Sequence, residues 1–192
     1  MTLVDRLRAL PRPLRIAVDG RSGVGKSTFA GLLAADLGAR LVEGDAFYAG
    51  GTEQRADPPE ALAAACIDWR RQQAVLEALS AGRAASFRPF DWAAFDGSSG
   101  PEVLLPPAEV ILLEGVYSAR PELADLIDVA ILLTSPEELR MARLLAREGE
   151  ISPWERQWHR AEDWYFAHQA PPERFDVVVE VGDGADRLGV GL

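Results

Sequence analysis

The sequence predicts a doubly wound α/β fold, in which a parallel sheet of about five strands carries helices on both faces. Two nearly all-apolar runs, Glu109–Glu114 and Asp128–Thr134, are typical of parallel strands covered on both sides. Segments of strand type alternate with segments of helical periodicity, which favours parallel pairing. The length of 192 residues suits one domain with a substantial core, so we expect a single domain over residues 1–192.

The individual elements follow from local patterns. Helical periodicity ends at glycine or proline in several places. Ser135, with Glu138 three residues later, predicts a capping box at the start of a helix. The irregular, aromatic-rich stretch 84–107 predicts a hairpin or an ordered loop over a ligand site. The other predicted strands are Leu14–Asp19, Arg40–Glu43 and Phe175–Val181. The predicted helices are 3–10, Ser27–Leu37, Pro59–Leu79, Pro121–Leu126, Pro136–Arg147 and Trp154–His168.

Composition excludes several classes of function. The net charge is −10 and the pI is about 4.7, whereas a nucleic-acid-binding surface needs a basic face, so we expect no nucleic-acid partner. No apolar run approaches the roughly 18 residues of a membrane-spanning helix, so we expect no membrane partner. The single Cys66 excludes an internal disulfide and suits a reducing compartment, which favours a cytoplasmic protein.

One lysine, Lys26, stands among 19 arginines in this chain. It lies in the pattern G-x-x-x-x-G-K-S between a predicted strand and a predicted helix, which is the context of a phosphate-binding loop (P-loop). Backbone amides and the following helix N-terminus cradle phosphates in such a loop, the lysine reaches the β- and γ-phosphates, and the Ser27 hydroxyl binds Mg²⁺. The predicted nucleotide-binding residues are Gly20, Arg21, Ser22, Gly23, Val24, Gly25, Lys26, Ser27 and Thr28.

Two carboxylates follow predicted strands, at the edge where parallel sheets bind ligands. Glu114 ends an apolar strand, so we expect it to orient Mg²⁺ or its water ligands; the alternative is that it caps the turn at Val116. Asp45 is placed to accept a proton from an attacking hydroxyl; the alternative is a turn or helix-capping residue.

Arginines recur on one face of the helix predicted over Pro136–Arg147. Arg140, Arg143 and Arg147 have the spacing i, i+3, i+7, and arginines that close on a transferring phosphoryl group accelerate its transfer. We expect this role for Arg143 and Arg147, the two nearest the break at Gly149; pairing with nearby glutamates is the alternative. Trp154 and Trp158 pack the next helix on the protein or line the acceptor pocket, and His159 and His168 are expected to be ordinary helix-surface histidines.

Four segments together resemble the uridine kinase-like branch of P-loop kinases over residues 14–180. They are Gly20–Thr28, Asp45-Ala46-Phe47-Tyr48, Arg88-Pro89-Phe90-Asp91-Trp92 and Val110–Gly115. The resemblance implies a P-loop kinase fold and transfer of phosphate from ATP, with Mg²⁺, to a hydroxyl of a nucleoside or similar small molecule. It implies that Asp45 is the general base and that a lid, about 147–156, closes over the phosphates. It also implies an acceptor side, about 45–100, with Asp45, Tyr48, Asp68, Phe90, Trp92 and Phe95 near the acceptor.

Two positions depart from the pattern of that branch. Phe90 and Phe95 stand where the branch has a tyrosine and a base-contacting histidine, so two polar groups that would read a pyrimidine edge are missing. A buried polar partner discriminates about 10⁴-fold or more, whereas an apolar wall discriminates weakly. A more apolar acceptor, or one that presents only sugar-like hydroxyls, therefore fits as well as uridine.

The alternative function is a nucleotide-binding switch that acts with a protein partner. An Asn-Lys-x-Asp guanine signature is absent because the chain has no second lysine. ATP rather than GTP is implied by the resemblance alone, and the sequence leaves the acceptor's identity and the oligomeric state open.

Overall fold

A five-stranded parallel sheet forms the centre of the protein, as the computed structural model shows for residues 1–182. The strand order β2-β5-β1-β6-β7 puts the strand that precedes the P-loop in the middle of the sheet, and every pairing in it is parallel. The predicted fold class is therefore confirmed. The strands are β1 (Leu14–Asp19), β2 (Arg40–Glu43), β5 (Val110–Glu114), β6 (Val129–Thr134) and β7 (Val177–Glu180).

Helices cover both faces of this sheet, which is the doubly wound arrangement. One core layer contains α1 and α2 with strand residues such as Ile16, Val18 and Ile131. The other contains α3, α4 and α6 with strand residues such as Ile111 and Leu113. Neighbouring strand residues thus bury alternate faces, which explains the continuous apolar runs. The helices are α1 (Leu3–Arg8), α2 (Lys26–Leu37), α3 (Pro59–Cys66), α4 (Trp69–Ser80), α5 (Glu137–Glu148) and α6 (Pro153–His168), and 3₁₀ turns span Gly44–Phe47, Pro121–Leu126 and Pro172–Arg174.

The single helix predicted over Pro59–Leu79 is wrong, because the segment is broken into α3 and α4. Ile67 has extended backbone angles (φ −122°, ψ 133°) and forms an isolated antiparallel bridge with Tyr48. Asp68 then caps the new helix by accepting a hydrogen bond from the Arg71 amide at 3.3 Å. A tertiary pairing and a local cap together interrupt an otherwise helical pattern.

The capping box predicted at Ser135 is also wrong. Helix α5 starts at Glu137 with Pro136 as its N-cap and no side-chain cap, and Ser135 Oγ is buried without a hydrogen-bond partner among residues 1–182. A capping box does form at Ser152 and Glu155, at the start of α6. The spacing S-x-x-E alone therefore does not decide which serine caps a helix.

The segment 84–107 contains the predicted hairpin. Its strands are β3 (Ala85–Phe87) and β4 (Val103–Leu105), which pair antiparallel in a separate small sheet. Their connecting loop carries Phe90, Trp92 and Phe95 and bonds back to the 3₁₀ turn after β2, since the Phe90 amide donates to the Ala46 carbonyl at 2.8 Å. The loop is thereby fixed beside the carboxyl edge of the main sheet.

None of the helices within residues 1–182 combines the length and the apolar character that crossing a membrane requires. Cys66 is buried, as expected, and burial raises the pKa of its thiol well above the ordinary value.

Candidate active site

The carboxyl ends of three adjacent strands bring the predicted site residues to one edge of the sheet. In the strand register Val18 lies beside Glu114, and Glu43 lies on the other side of Glu114. The P-loop therefore begins at the end of β1, next to the end of β5. The turn that contains Asp45 begins at the end of β2, on the other side of β5. This edge is where open α/β sheets bind ligands.

The P-loop runs from the end of β1 directly into α2, whose first residue is Lys26. The Lys26 side chain is 8% exposed, and its Nζ donates to the Arg21 carbonyl at 3.1 Å. Its ammonium group thus lies over the loop rather than in solvent. Ser27 and Thr28 are exposed on the first turn of α2, at the end of the helix where the backbone amides are free to bind an anion.

Gly23 shows why this loop needs glycine. Its φ is +86°, and a Cβ atom there would lie 2.8 Å from Leu144 Cγ and 2.9 Å from the Arg140 carbonyl oxygen. A larger residue would meet both a strained backbone and the packed surface of α5. The loop is consequently held against the helix that carries the predicted arginines.

Two of these arginines hold the main chain of the P-loop. Arg140 is buried, donates to the Ser22 carbonyl at 3.0 Å and pairs with Glu137. Arg143 donates to the Val24 carbonyl at 3.1 Å and to the Gly182 carbonyl at 3.1 Å. In this structure the Arg143 guanidinium therefore holds the main chain of the P-loop through its hydrogen bond to the Val24 carbonyl. Its predicted contact with a transferring phosphoryl group stays a prediction.

Arg147 is the arginine of this row that lines the cavity next to Asp45. It is exposed and pairs with its neighbour Glu148. The turn 149–152 follows and leads into α6. The structure thus puts the predicted lid segment at the mouth of the cavity, and closure of that segment over phosphates stays a prediction.

Helix α6 holds the P-loop from a second direction, a feature that sequence reasoning missed. The Glu162 carboxylate is 4% exposed and accepts hydrogen bonds from the Ser22 amide at 3.0 Å and from the Ser22 hydroxyl. Next to it Asp163 forms an ion pair with Arg21. In the sequence, Glu162 and Asp163 are a pair of acidic residues on a helix, and such a pair usually lies on a solvent-exposed face.

Asp19, the last residue of β1, was missed as well. Its carboxylate is fully buried and accepts from the Gly20 amide (2.7 Å), the Tyr117 amide (3.1 Å), the Ala119 amide (2.9 Å) and the Tyr165 hydroxyl (2.8 Å). One side chain therefore joins the P-loop, the loop after β5 and α6. Burial raises the pKa of Asp19 to about 6, although the amide and hydroxyl donors and Lys26 oppose the rise.

Glu114 lies beside the cationic group of the loop. Its side chain is 6% exposed, and burial raises the pKa of Glu114 to about 7. Lys26 and the Ser27 hydroxyl oppose this rise, whereas the Asp45 charge adds to it. Lys26, Ser27, Asp45 and Glu114 are thus close enough to influence one another, as the strand register requires. The alternative role of Glu114 as a cap for the turn at Val116 has no side-chain hydrogen bond to support it among residues 1–182.

Asp45 lies in the 3₁₀ turn after β2, and its side chain is exposed at the edge of the cavity. The indole Nε1 of Trp92 donates to the Asp45 carbonyl oxygen at 3.1 Å, so the main chain of this turn is fixed by the acceptor-side loop. The carboxylate itself has no hydrogen bond or ion pair with another residue of the part of the chain that the structure describes. It is free to accept a proton from a bound molecule.

A cavity of about 910 Å³ opens next to Asp45 and Ser22. Its walls come from the turn after β2, the end of α3, the 88–102 loop and the first half of α6. Phe95 has a left-handed backbone (φ +46°), and its ring contacts that of Trp154. The aromatic side chains that line the cavity are Tyr48, Phe90, Trp92, Phe95, Tyr117, Trp154 and Trp158.

Two expectations at the acceptor side need correction. Asp68 does not line this cavity, because its carboxylate caps α4 and is directed to the Arg71 amide. His159 is half-buried and does line the cavity, so it is more than a helix-surface residue; His168 is exposed and stacks on Trp164. Within the described residues no cluster of three or more His, Cys, Asp or Glu side chains is arranged to hold a metal ion by itself.

Solved structures share this fold over nearly the whole chain. A protein named as a possible uridine kinase, from Bacillus stearothermophilus, is 22% identical and superimposes with a TM-score of 0.69 over 92% of this chain and 94% of that one. A candidate fructose transport system kinase from Silicibacter sp. TM1040 is 25% identical, with a TM-score of 0.69 over 93% and 99% of the two chains. Phosphoribulokinase from Rhodobacter spheroides is 15% identical, with a TM-score of 0.56 over 88% and 69%.

The sequence itself matches one family, described as the AAA domain, over residues 16–164. No curated protein matches the chain. The matched range contains the P-loop, most of β1, the whole of β2, β5 and β6, and most of α6. The chain therefore belongs to the AAA domain family, and its fold is that of the uridine kinase-like P-loop kinases.

Proposed function

We propose that the protein is an ATP-dependent small-molecule kinase that transfers the γ-phosphoryl group to a hydroxyl group. One observation carries this proposal: the P-loop, through Ser22, and Asp45, whose carboxylate has no partner among residues 1–182, border the same cavity at one edge of the sheet. A P-loop fixes the phosphates, and a carboxylate next to them accepts the proton of an attacking alcohol. The solved structures named as kinases support the same class of reaction.

The reaction is an in-line transfer. The acceptor oxygen forms a bond to the γ-phosphorus while the bond from that phosphorus to the bridging oxygen of ADP breaks, and ADP leaves with that electron pair. The hydroxyl proton passes to Asp45. Lys26 and the amides at the start of α2 offset charge on the phosphates. Arg147 is the arginine of α5 that lines the cavity, so we expect it to contact the transferring phosphoryl group when the lid closes.

Magnesium fits the oxygen donors at this edge. Mg²⁺ prefers oxygen ligands and is held in kinases by a few protein oxygens together with the phosphates. The exposed Ser27 hydroxyl and the Glu114 carboxylate, which are close enough for Ser27 to affect the pKa of Glu114, supply such donors. When bound, the metal would neutralise charge on the transferring phosphates.

The decisive measurement separates transfer from hydrolysis. Purified protein is incubated with ATP and Mg²⁺ and a panel of nucleosides, sugars and amino alcohols, and ADP and inorganic phosphate are measured in the same sample. We expect ADP to form without an equal amount of inorganic phosphate only when an acceptor is present. ADP and phosphate released in equal amounts with every compound, and stimulated by a protein fraction instead, would favour the nucleotide-binding switch.

Asp45→Asn tests the proton-accepting role. General base catalysis contributes about 10²–10⁴-fold, so turnover should fall by that factor while affinity for an ATP analogue stays the same. Asp125→Asn is the matched control, because Asp125 is exposed in the 3₁₀ turn Pro121–Leu126, and it should keep full turnover. Unchanged turnover in Asp45→Asn would remove this residue from its proposed role.

A further inference from the structure

The acceptor cavity is acidic. Its lining includes one guanidinium, that of Arg147, which already pairs with Glu148. Besides Arg147, the described lining contains one other side chain that can carry a positive charge, His159, so an anionic acceptor would meet repulsion from the more numerous carboxylates. The carboxylates that line the cavity are Glu43, Asp45, Asp91, Glu148, Glu155 and Glu162.

Aromatic rings form the walls between these charges, and several of them meet nearly at right angles. The Tyr48 and Trp158 rings are 5.7 Å apart at 85°, and the Phe95 and Trp154 rings are 5.1 Å apart at 85°. Trp92 meets Trp154 at 76° with centroids 6.4 Å apart. Trp92 and Phe95 are 44% and 37% exposed, so part of each ring is accessible from the cavity. Rings at right angles present faces from more than one direction.

The polar atoms of three of these rings are occupied by main-chain carbonyls, whereas Trp158 Nε1 and the Tyr117 hydroxyl are buried without a hydrogen-bond partner among residues 1–182. The Tyr48 hydroxyl donates to the Gly51 carbonyl at 2.6 Å, and Trp154 Nε1 donates to the same oxygen at 3.3 Å. Trp92 Nε1 donates to the Asp45 carbonyl at 3.1 Å. Because both unpartnered atoms are buried, the accessible part of the aromatic walls consists mainly of ring faces, which is a poor surface for reading the edge of a nucleobase.

Asp91 adds charge next to the accessible rings. Its Oδ1 accepts from the Ala93 amide at 3.0 Å and the Ala94 amide at 2.9 Å, and these bonds hold the turn that carries Trp92 and Phe95. Asp91 is half-buried, so its charge acts on the cavity with less screening than a fully exposed carboxylate. A negative charge beside aromatic faces favours a cation on those faces.

We propose that the phosphate acceptor is an alcohol that carries a cationic ammonium group, which binds against the aromatic walls beside Asp91 while its hydroxyl reaches Asp45. This inference rests on the proposed kinase function for the transfer step, but binding of the cation does not depend on transfer. Aromatic faces attract ammonium groups through the ring quadrupole, and the surrounding carboxylates strengthen that attraction. A neutral alcohol of the same shape gains only the apolar contact.

The test compares three small alcohols that differ in charge. Choline is the cation, 3,3-dimethyl-1-butanol is its neutral isostere, and 4-hydroxybutanoate is the anion, and each is titrated while tryptophan fluorescence is recorded. We expect choline to bind about tenfold more tightly than its neutral isostere, and the anion to bind most weakly. Equal or tighter binding of the neutral alcohol, or no response to choline, overturns the proposal.

Two variants locate the cation. Asp91→Asn keeps the oxygen that the Ala93 and Ala94 amides need and removes the charge, and Trp92→Leu removes an accessible ring face. Each should reduce the ratio of choline affinity to isostere affinity by at least about threefold. Trp164→Leu is the matched control, because Trp164 stacks on His168 outside the cavity, and it should leave the ratio unchanged. An unchanged ratio in both site variants would place the cation elsewhere and overturn the proposal.

The two proposals fail in different ways. If ADP forms with neutral acceptors and choline does not compete with them, the kinase function stands and the cationic acceptor is wrong. If choline binds with the expected preference but no alcohol, cationic or neutral, supports acceptor-dependent ADP formation, the cavity recognises the cation and the kinase function is wrong.

Discussion

The two halves of the candidate site are built in different ways. The phosphate side is one continuous segment, Gly20–Thr28, whose position is set by the strand and helix around it and by hydrogen bonds to its main chain. The acceptor side is assembled from segments far apart in the sequence, and aromatic side chains form its walls. Substitutions on the phosphate side should therefore affect nucleotide binding and turnover together, whereas those in the aromatic walls of the acceptor side should change acceptor binding and leave nucleotide binding unchanged.

The largest combined effect on nucleotide affinity and turnover should come from Lys26→Ala. This change removes the ammonium group whose Nζ lies 3.1 Å from the Arg21 carbonyl oxygen, above the predicted phosphate site. Loss of a preorganised charge that stabilises the transition state costs about 10²–10³-fold in turnover, and nucleotide affinity should fall as well. Steady-state ADP formation and calorimetric titration with an ATP analogue measure the two effects.

Lys26→Arg is the control for charge alone. A guanidinium is a planar fork that does not fit a site built for a compact point charge, so we expect turnover to stay low although the charge is kept. Trp92→Leu should have the opposite pattern from Lys26→Ala: the KM for the acceptor should rise, whereas nucleotide affinity should stay the same. If Lys26→Ala changes only acceptor binding, the division of the site into two halves is wrong.

Asp19 gives the stability of the phosphate side a pH dependence of its own. Its folded-state pKa of about 6 lies above the ordinary value of 3.8, so the native protein binds a proton that the unfolded chain releases. The unfolding free energy should therefore fall as pH rises from about 4 to about 6, by about 3 kcal/mol at most. Asp19→Asn cannot titrate and should show a smaller fall over the same range in urea unfolding.

The difference between the two proteins isolates Asp19, because the pKa of Glu114 is also raised, to about 7, and contributes its own decrease in both. Parallel pH profiles for the two proteins would show that the hydrogen bonds to Asp19 keep its pKa near the ordinary value.

The parts of the molecule that sequence reasoning predicted are those set by neighbours in the chain. Strands β5 and β6 are nearly continuous apolar runs, and the P-loop is recognisable from its own motif between a strand and a helix. The break at Ile67 and Asp68 was missed because its cause is a bridge to Tyr48, which helical periodicity in an alanine-rich segment does not reveal.

Two local patterns of the same form had different outcomes. Ser135 and Ser152 are each followed by proline and, three residues later, by glutamate. The capping box forms at Ser152, whereas at Ser135 the helix begins after Pro136, which has extended backbone angles (φ −51°, ψ 136°). Ser135 directly follows β6, whereas Ser152 lies between α5 and α6, so the element that precedes the helix differs between the two cases.

The site residues that sequence reasoning missed are those whose partners are distant. Asp19 bonds Tyr165, 146 residues away, and Glu162 bonds Ser22, 140 residues away. In the sequence they are a strand-end aspartate and a glutamate on an amphipathic helix, and neither pattern indicates burial. The P-loop motif is a set of neighbours in the sequence, whereas the partners of Asp19 and Glu162 come from elements that only folding brings together.

Glu162 offers a moderate test of how the two halves are joined, since α6 carries Trp154 and Trp158 at its start and Glu162 farther along. Glu162→Ala leaves the Ser22 amide without its partner, which should lower the unfolding free energy by about 1–3 kcal/mol and raise the KM for ATP. Glu162→Gln keeps an oxygen that accepts from that amide and should restore most of the stability. Thermal unfolding and ATP kinetics of the two variants distinguish loss of the contact from loss of the charge.

If Glu162→Gln behaved like Glu162→Ala, the negative charge itself would hold the loop. If neither variant changed the KM for ATP, the bond between Glu162 and Ser22 would stabilise the fold without positioning the phosphate loop.

The smallest effect should come from a glycine outside both halves. Gly38 ends α2 with φ +64°, and a Cβ atom there would have no atom within 4 Å, so Gly38→Ala meets only the backbone cost of a left-handed residue, about 1 kcal/mol. Kinetics should be unchanged. Gly23→Ala has a similarly positive φ but also a Cβ contact of 2.8 Å with Leu144, so it should lose more stability and weaken nucleotide binding. Equal losses of stability in the two variants would mean that the P-loop moves away from α5 at no cost in free energy. The phosphate side would then be less rigid than its hydrogen bonds indicate.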